Sequence, residues 1–350
     1  MLRLFLLLPK NDILLAIETC AGSGAKERCM LMRLKVWFAV MLMVFAAFAG
    51  CACAEGAYTD AVSLNPDGIA VEGEAIAVGG AALPEILQVT APGEKVEENS
   101  KAVIDYSNTQ DGYVMVLYRE ETGKKLKAQV KGPRSTYTYT IQPQQWAILS
   151  LSEGNGNYQV KLFRNASGNS YSNVLSAKMS VELGDEFAPF LRPNQYVNYT
   201  AASRAVALAQ ELTGAIEHPL GKVEAIYNYV VKTLSYDYDK ARSVKSGYTP
   251  VLDNVLEEKK GICFDYAALM TGMLRSQGIP CKMIFGYAGG AYHAWISVWS
   301  EDTGWVDGVI FFDGTTWQRL DPTFASSANQ SEEIMKYIGN GSNYKEKYFY

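Results

Sequence analysis

The 350-residue sequence predicts an α+β protein in two parts, a β-sandwich followed by a domain of helices and antiparallel strands. Three observations predict it. Between Leu87 and Leu183, short β-rich runs alternate with turn residues at close spacing. From Thr200 onward the apolar residues fall at helical spacing instead. Finally, Cys263, His293 and Asp321 follow one another along the second part, each where an element begins or ends.

The length suits two domains at about 150 residues each. Apolar residues make up 48% and charged residues 20%, enough for a core of normal size. The formal net charge of −5 excludes a general nucleic-acid binder, because neutralising phosphates requires a basic face.

The N-terminal stretch reads as an export signal. Arg33 and Lys35 precede an apolar run from Val36 to Ala49, and small residues continue to Ala54. Residues 30–54 are therefore expected to be a signal peptide starting at Met30 or Met32, with residues 1–29 an extension ahead of the natural start. Leu34–Ala54 is also about 20 residues long, the length of an uncleaved membrane span. Phe48-Ala49-Gly50-Cys51 resembles a lipobox, which would put a lipid anchor on Cys51, and Ala52-Cys53-Ala54 fits simple cleavage equally well. Either route predicts an exported protein, extracellular or attached to the cell surface. Residues 55–84, rich in Ala, Gly and Glu, read as a spacer.

The first domain is expected over residues 85–184. Its strands are Tyr113–Tyr118, Tyr137–Ile141, Trp146–Leu151, Tyr158–Phe163 and Leu175–Leu183, separated by Asp111-Gly112, Gly132-Pro133, Glu153–Gly156 and Ala166–Ser170. Tyr158, Val160 and Leu162 alternate with Gln159 and Lys161, as in a half-buried strand. This pattern predicts an immunoglobulin-like β-sandwich. Pro189 and Pro193 then mark a linker, and the second domain is expected over residues 195–350.

In the second domain Thr200–Leu212 is Ala-rich, and Val223, Ile226, Tyr227, Val230 and Leu234 form one apolar stripe of a helix. Tyr236–Tyr248 is polar and aromatic and reads as a loop near a cleft. Lys259-Lys260-Gly261 reads as a loop too. Beyond it, Ala267, Leu269, Met270, Met273 and Leu274 make a helical face that Gly278 and Pro280 terminate. Cys263 sits at the N-terminus of that helix. Unpaired backbone N–H groups and the helix dipole there favour a thiolate and can hold an oxyanion. Cys263 and Cys281 are the only cysteines beyond the leader and cleavage zone, so a disulfide between them is the competing expectation.

Lys282–Tyr287 and His293–Trp299 read as strands around a Gly289-Gly290 turn, with His293, one of only two histidines, at a strand start. Asp313-Gly314 signals a hairpin between Val309–Phe312 and Thr316–Leu320, and Asp321 follows before Pro322. A carboxylate there can accept from one imidazole nitrogen and leave the other facing the thiol, although an Asp-Pro pair also starts ordinary turns. Asp307 and Asp313 are further candidates for that carboxylate.

Gly261-Ile-Cys263-Phe-Asp265-Tyr-Ala267, Leu274-Arg275, Gly278-Ile-Pro-Cys281, Gly286-Tyr287, His293-Ala-Trp295, Gly304-Trp305 and Asp321-Pro-Thr323 together resemble the transglutaminase-like superfamily of papain-fold thiol enzymes. The resemblance covers roughly Val223 to Phe324. It implies a helix carrying the cysteine packed on an antiparallel sheet, with Cys263 as nucleophile, His293 as general base and acid, and Asp321 as its orienting carboxylate. Family members often carry an acid two positions beyond the Trp of the His-Ala-Trp motif, where this chain has Ser297. Tyr227, Tyr229 or Tyr236 are candidates for a further oxyanion donor, and Trp295, Trp299 and Trp305 for cleft walls or core. A sandwich and thiol domain behind an export signal resemble secreted Gram-positive members.

The implied chemistry needs no cofactor and no metal, and the sequence has no calcium-loop spacing. The expected partner is a protein or peptide substrate, with a cell-wall or surface component as a second candidate. No nucleic acid is expected, and membrane contact only through the signal peptide or lipid anchor. The alternative is a non-catalytic surface binding or assembly module on the same fold.

Overall fold

The computed structural model describes residues 85–288, 290–301, 304–307, 309–312, 317–320 and 344–350. The expected leader, signal peptide, lipidation site at Cys51 and spacer lie outside these residues, as do Asp313 and Asp321. The described residues all belong to one unit that begins at Ile76.

Eight strands come first: β1 (Val96–Glu98), β2 (Ala102–Asp105), β3 (Tyr113–Tyr118), β4 (Leu126–Lys131), β5 (Thr136–Ile141), β6 (Ala147–Ser150), β7 (Gly156–Ser167) and β8 (Ser170–Val181). They form two four-stranded antiparallel sheets, ordered β1-β2-β3-β6 and β5-β4-β7-β8. Residue alternation decides which way each strand faces. In β4, Leu126, Ala128 and Val130 are buried while Lys127, Gln129 and Lys131 are not. In β5, Tyr137, Tyr139 and Ile141 are buried, and Thr136, Thr138 and Thr140 point the other way. The buried faces of both sheets feed one hydrophobic cluster. Strands β1, β2 and β4 are additions to the sequence-derived set. The first two are short, and lysines interrupt the apolar pattern of the third.

Helices follow: α1 (Arg204–Thr213), α2 (Pro219–Thr233), α3 (Tyr238–Ser243), α4 (Leu252–Glu258) and α5 (Cys263–Ser276), with two-residue strands β9 (Ser235–Tyr236) and β10 (Lys260–Gly261) between them. The chain continues through β11 (Cys281–Ala288), β12 (Ala291–Ser300), β13 (Gly304–Asp307), β14 (Val309–Phe312), β15 (Trp317–Leu320) and β16 (Tyr344–Phe349). An antiparallel sheet of order β13-β12-β11-β16 packs against α5, and α1, α2 and α4 pack on α5 from other sides. Residues Asp265–Ser276 of α5 are accordingly buried, as expected for a helix surrounded by other elements. A side chain at Gly272 would meet Leu252 Cδ1 at 2.5 Å, so the glycine admits α4 at close range.

Two local expectations are corrected. Lys260 and Gly261 are not loop but pair in parallel with Ser235 and Tyr236. Such a two-residue ladder leaves no periodicity to read. Within the expected Tyr236–Tyr248 loop lies α3, whose N-terminus is capped by Asp237 accepting from the Lys240 N–H at 2.9 Å. The second histidine, His218, also has a local role: its Nδ1 accepts from the Leu220 N–H at 3.3 Å and caps α2, with Pro219 at the first helical position.

The far end of α5 is fastened by Arg275. Its buried guanidinium donates to the Cys281 carbonyl at 2.7 and 2.9 Å, to the Arg192 carbonyl at 2.7 Å and to the Tyr350 carbonyl at 2.7 Å. One cation thus joins the helix end, the start of β11, the inter-sheet linker and the residue after β16. Among the described residues no helix is long and apolar enough to cross a membrane.

Candidate active site

The local sequence Gly261-Ile-Cys-Phe-Asp265 builds the turn that presents Cys263. Ile262 is extended (φ −97°, ψ 175°), and the helix begins at Cys263. Asp265, fully buried, accepts from the Ile262 N–H at 2.8 Å and so caps the helix from within. Its carboxylate also pairs with Lys240 Nζ at 2.9 Å and accepts from the Tyr248 hydroxyl. Gly261 is required by this cap, since a Cβ there would lie 2.6 Å from Asp265 Cβ. Asp265 is the functional-region residue that the sequence pattern left without a role. The signal was available, because an acid three positions after an N-cap is the second half of a capping box.

Cys263 is half-buried and Cys281 buried, and both are free thiols. The competing disulfide is therefore absent. The Cys281 thiol donates to Thr271 Oγ1 at 3.6 Å, and burial pushes it up to about 11.

His293 is the third residue of β12, slightly inside the strand rather than at its start, and it is 6% exposed. It sits opposite Gly286 of β11, and its ring stacks on Trp295 at 6.1 Å between centroids. A Cβ at Gly286 would lie 2.1 Å from the Lys345 carbonyl oxygen and 2.6 Å from Trp295 Cη2. The glycine therefore lets β16 and the Trp295 ring close on the strand that backs His293.

Cys263 and His293 both line one cavity of about 640 Å³. Phe264, Phe285 and Tyr292 form an aromatic wall, with Phe264 and Phe285 at 4.9 Å and Phe285 and Tyr292 stacked at 6.0 Å. The segment from Val244 to Thr249 forms another wall. Lys127, Thr136, Thr138 and Thr140, from β4 and β5, line it as well.

Of the three tyrosines considered as oxyanion donors, Tyr236 lines this cavity; Tyr227 and Tyr229 do not. Burial first, then the neighbouring Cys263 charge, pushes the Tyr236 hydroxyl up to about 12, so it keeps its proton and remains a donor near neutral pH. None of Trp295, Trp299 and Trp305 lines the cavity. Trp299 and Trp305 instead pack on Phe187 and Phe190, and Lys282 Nζ sits 3.7 Å over the Trp305 ring. Ser297, at the position where an acid was expected from the resemblance, is buried and donates to the Val306 carbonyl at 3.0 Å, tying β12 to β13. Asp321 lies outside the described residues, and Asp307 enters through its backbone pairing with Ser297. Among the described residues no three His, Cys, Asp or Glu side chains are grouped to hold a metal ion.

Residues 206–308 match the family model for the transglutaminase-like superfamily, from α1 through β13 and including Cys263 and His293. Over 147 residues the chain is 27% identical to a protein-glutamine gamma-glutamyltransferase from Pseudomonas aeruginosa, covering 37% of this chain and 20% of that protein. Over 122 residues it is 27% identical to the uncharacterized protein YebA from Bacillus subtilis, covering 29% and 17% respectively. The chain thus spans about a fifth of the length of the curated relatives it matches. Among solved structures, a protein from Cytophaga hutchinsonii provisionally named a cysteine protease aligns with a TM-score of 0.34 at 15% identity, over 68% of this chain and 76% of that one. Red sea bream transglutaminase aligns with a TM-score of 0.27 at 14% identity, over 65% and 53%. The segment that carries Cys263 and His293 is thus the part of the chain that resembles the transglutaminase-like superfamily, by the family model and by the two sequence relatives.

Proposed function

We propose that the chain is a thiol enzyme acting on amide bonds of proteins or peptides through a thioester, with Cys263 as nucleophile, His293 as general base and acid, and Asp321 as the carboxylate that orients His293. The observation that carries this reading is the shared cavity: a half-buried thiol at a capped helix start and a strand-held imidazole open onto the same space.

His293 takes the Cys263 thiol proton as the sulfur attacks the amide carbonyl, forming a C–S bond and a tetrahedral oxyanion. The Cys263 backbone N–H and the Tyr236 hydroxyl are the donors assigned to that oxygen. His293 delivers a proton to the departing nitrogen, and the C–N bond breaks. A lysine amine or water, deprotonated by His293, then attacks the thioester and releases the sulfur. An amine gives transfer, and water gives hydrolysis. The strands ahead of the linker are assigned as an immunoglobulin-like domain over 85–184, and the catalytic domain as 195–350. The chain is assigned outside the cytoplasmic membrane through the 30–54 signal, free or held by a lipid on Cys51.

Intact-mass analysis with a glutamine-bearing peptide and a primary amine tests the reading. A conjugate shows transfer, a plus-one mass change shows deamidation and fragments show proteolysis. A protein that leaves every peptide unchanged, while Cys263 resists alkylation in the folded state, is a non-catalytic module instead.

A further inference from the structure

The two sheets that precede the linker differ in charge. Strands β4, β5, β7 and β8 carry Lys127, Lys131, Lys161, Arg164 and Lys178 and no Asp or Glu, in a chain of net charge −5. Strands β1, β2, β3 and β6 carry Glu97, Glu98 and Asp105 and no Lys or Arg. Register gathers most of the cations on one face. Gln129 lies between Thr138 and Lys161, and Lys131 lies between Thr136 and Gln159, which in turn pairs with Lys178. Lys127 sits beside Thr140 in the next row. Their neighbours along β4 and β5 are the buried residues, so this lysine, threonine and glutamine face is the outward one. Among the described residues no ion pair engages Lys127, Lys131, Lys161 or Lys178. Glu153, beside Gly132, is taken up by the Arg134 and Ser135 N–H groups and the Tyr137 hydroxyl.

This face runs into the cavity of Cys263 and His293 through Lys127, Thr136, Thr138 and Thr140. The cavity lining itself holds Lys127 and Lys245 and no Asp or Glu. We propose that the outward face of β5-β4-β7-β8 is a docking track for an acidic stretch of the polypeptide whose amide enters the cavity. The inference rests on the amide-directed reading above. Charge complementarity selects an acidic partner. Continuity of this face with the cavity that takes the amide selects a polypeptide as the carrier of those acidic groups, and the interleaved threonine and glutamine side chains can hydrogen-bond its peptide groups.

The test is fluorescence anisotropy with the Cys263→Ala protein and a fluorescein-labelled peptide in which a glutamine is followed by a run of glutamates. The acidic peptide is expected to bind at least about tenfold more tightly than its Glu-to-Gln counterpart, with affinity falling as salt rises. Replacing Lys131, Lys161 and Lys178 together by Gln is expected to weaken binding about tenfold, as three exposed charge contacts would. Lys222→Gln with Lys232→Gln on α2 should leave it unchanged, and thermal melts confirm that both variants fold. Equal binding of the two peptides, or no effect of the triple replacement, overturns the proposal. Tighter binding of an inorganic polyphosphate of equal charge also overturns it, by making the partner an anionic polymer. Binding in Cys263→Ala requires no acyl chemistry. A chain that docks the acidic peptide but never yields a conjugate, a deamidated product or a fragment therefore refutes the enzymatic reading alone. One that transfers acyl groups from acidic and neutral peptides equally refutes the docking track alone.

Discussion

Cys263 and Cys281 open the helix and the strand of one helix–turn–strand unit and differ in almost everything but their chemistry. Cys263 opens α5, half-buried, on a cavity shared with His293. Cys281 opens β11 with no exposed surface, with Thr271 for a partner and Arg275 on its carbonyl oxygen. Burial at the strand start favours the neutral thiol, whereas the helix start offers N–H groups to an anion. Residue type therefore says little about reactivity here, and the element on which the thiol sits says much.

The sharpest way to break this comparison is to remove each thiol in turn. Cys263→Ala should abolish conjugate formation, a loss of at least about 10³-fold, while Cys281→Ala keeps most of the activity. Intact mass against time measures both, and equal losses would erase the distinction. Tyr236→Phe should lower kcat by about 10²-fold with little change in KM or melting temperature, if its hydroxyl serves the oxyanion. A pure KM effect would move Tyr236 from the oxyanion to the substrate wall.

Asp265 sharpens the comparison from the cap side. Asp265→Ala should destabilise the fold by about 1–3 kcal/mol, because the Ile262 N–H and Lys240 lose a buried acceptor. Urea titration reads the stability. The rate of Cys263 alkylation, measured in the same variant, should fall as the turn loosens. At neutral pH the smallest effect concerns Cys281, whose contribution changes only in alkali. Burial raises its folded value above the ordinary 9.0, to about 11. The protonated thiol's contribution to stability is therefore complete below pH 9 and is lost as pH climbs toward 11, at no more than about 1.4 kcal/mol per pH unit. Chemical denaturation across that window should show a steeper decline for the wild type than for Cys281→Ala.

Much of this was legible in the sequence. The apolar stripe of α2, the alternation in β7 and the helix behind Cys263 are local patterns, and the structure keeps all three. What escaped is long-range or polar. Pairing of β16 with β11 joins residues far apart in the chain, and only Gly286 hints at the close approach. Asp265 resembles an ordinary helix acid until Tyr248 and Lys240 are seen to converge on it. Thr136, Thr138 and Thr140 look like a solvated strand face, and only the tertiary arrangement turns them into cavity lining.

The central claim is that Cys263 and His293 work as a pair, and iodoacetamide labelling at about pH 6, followed peptide by peptide, tests it most directly. The account predicts that Cys263 labels at least about tenfold faster than Cys281, and that His293→Ala removes most of that advantage. A Cys263 rate that matches Cys281, or one that His293→Ala leaves unchanged, would contradict it.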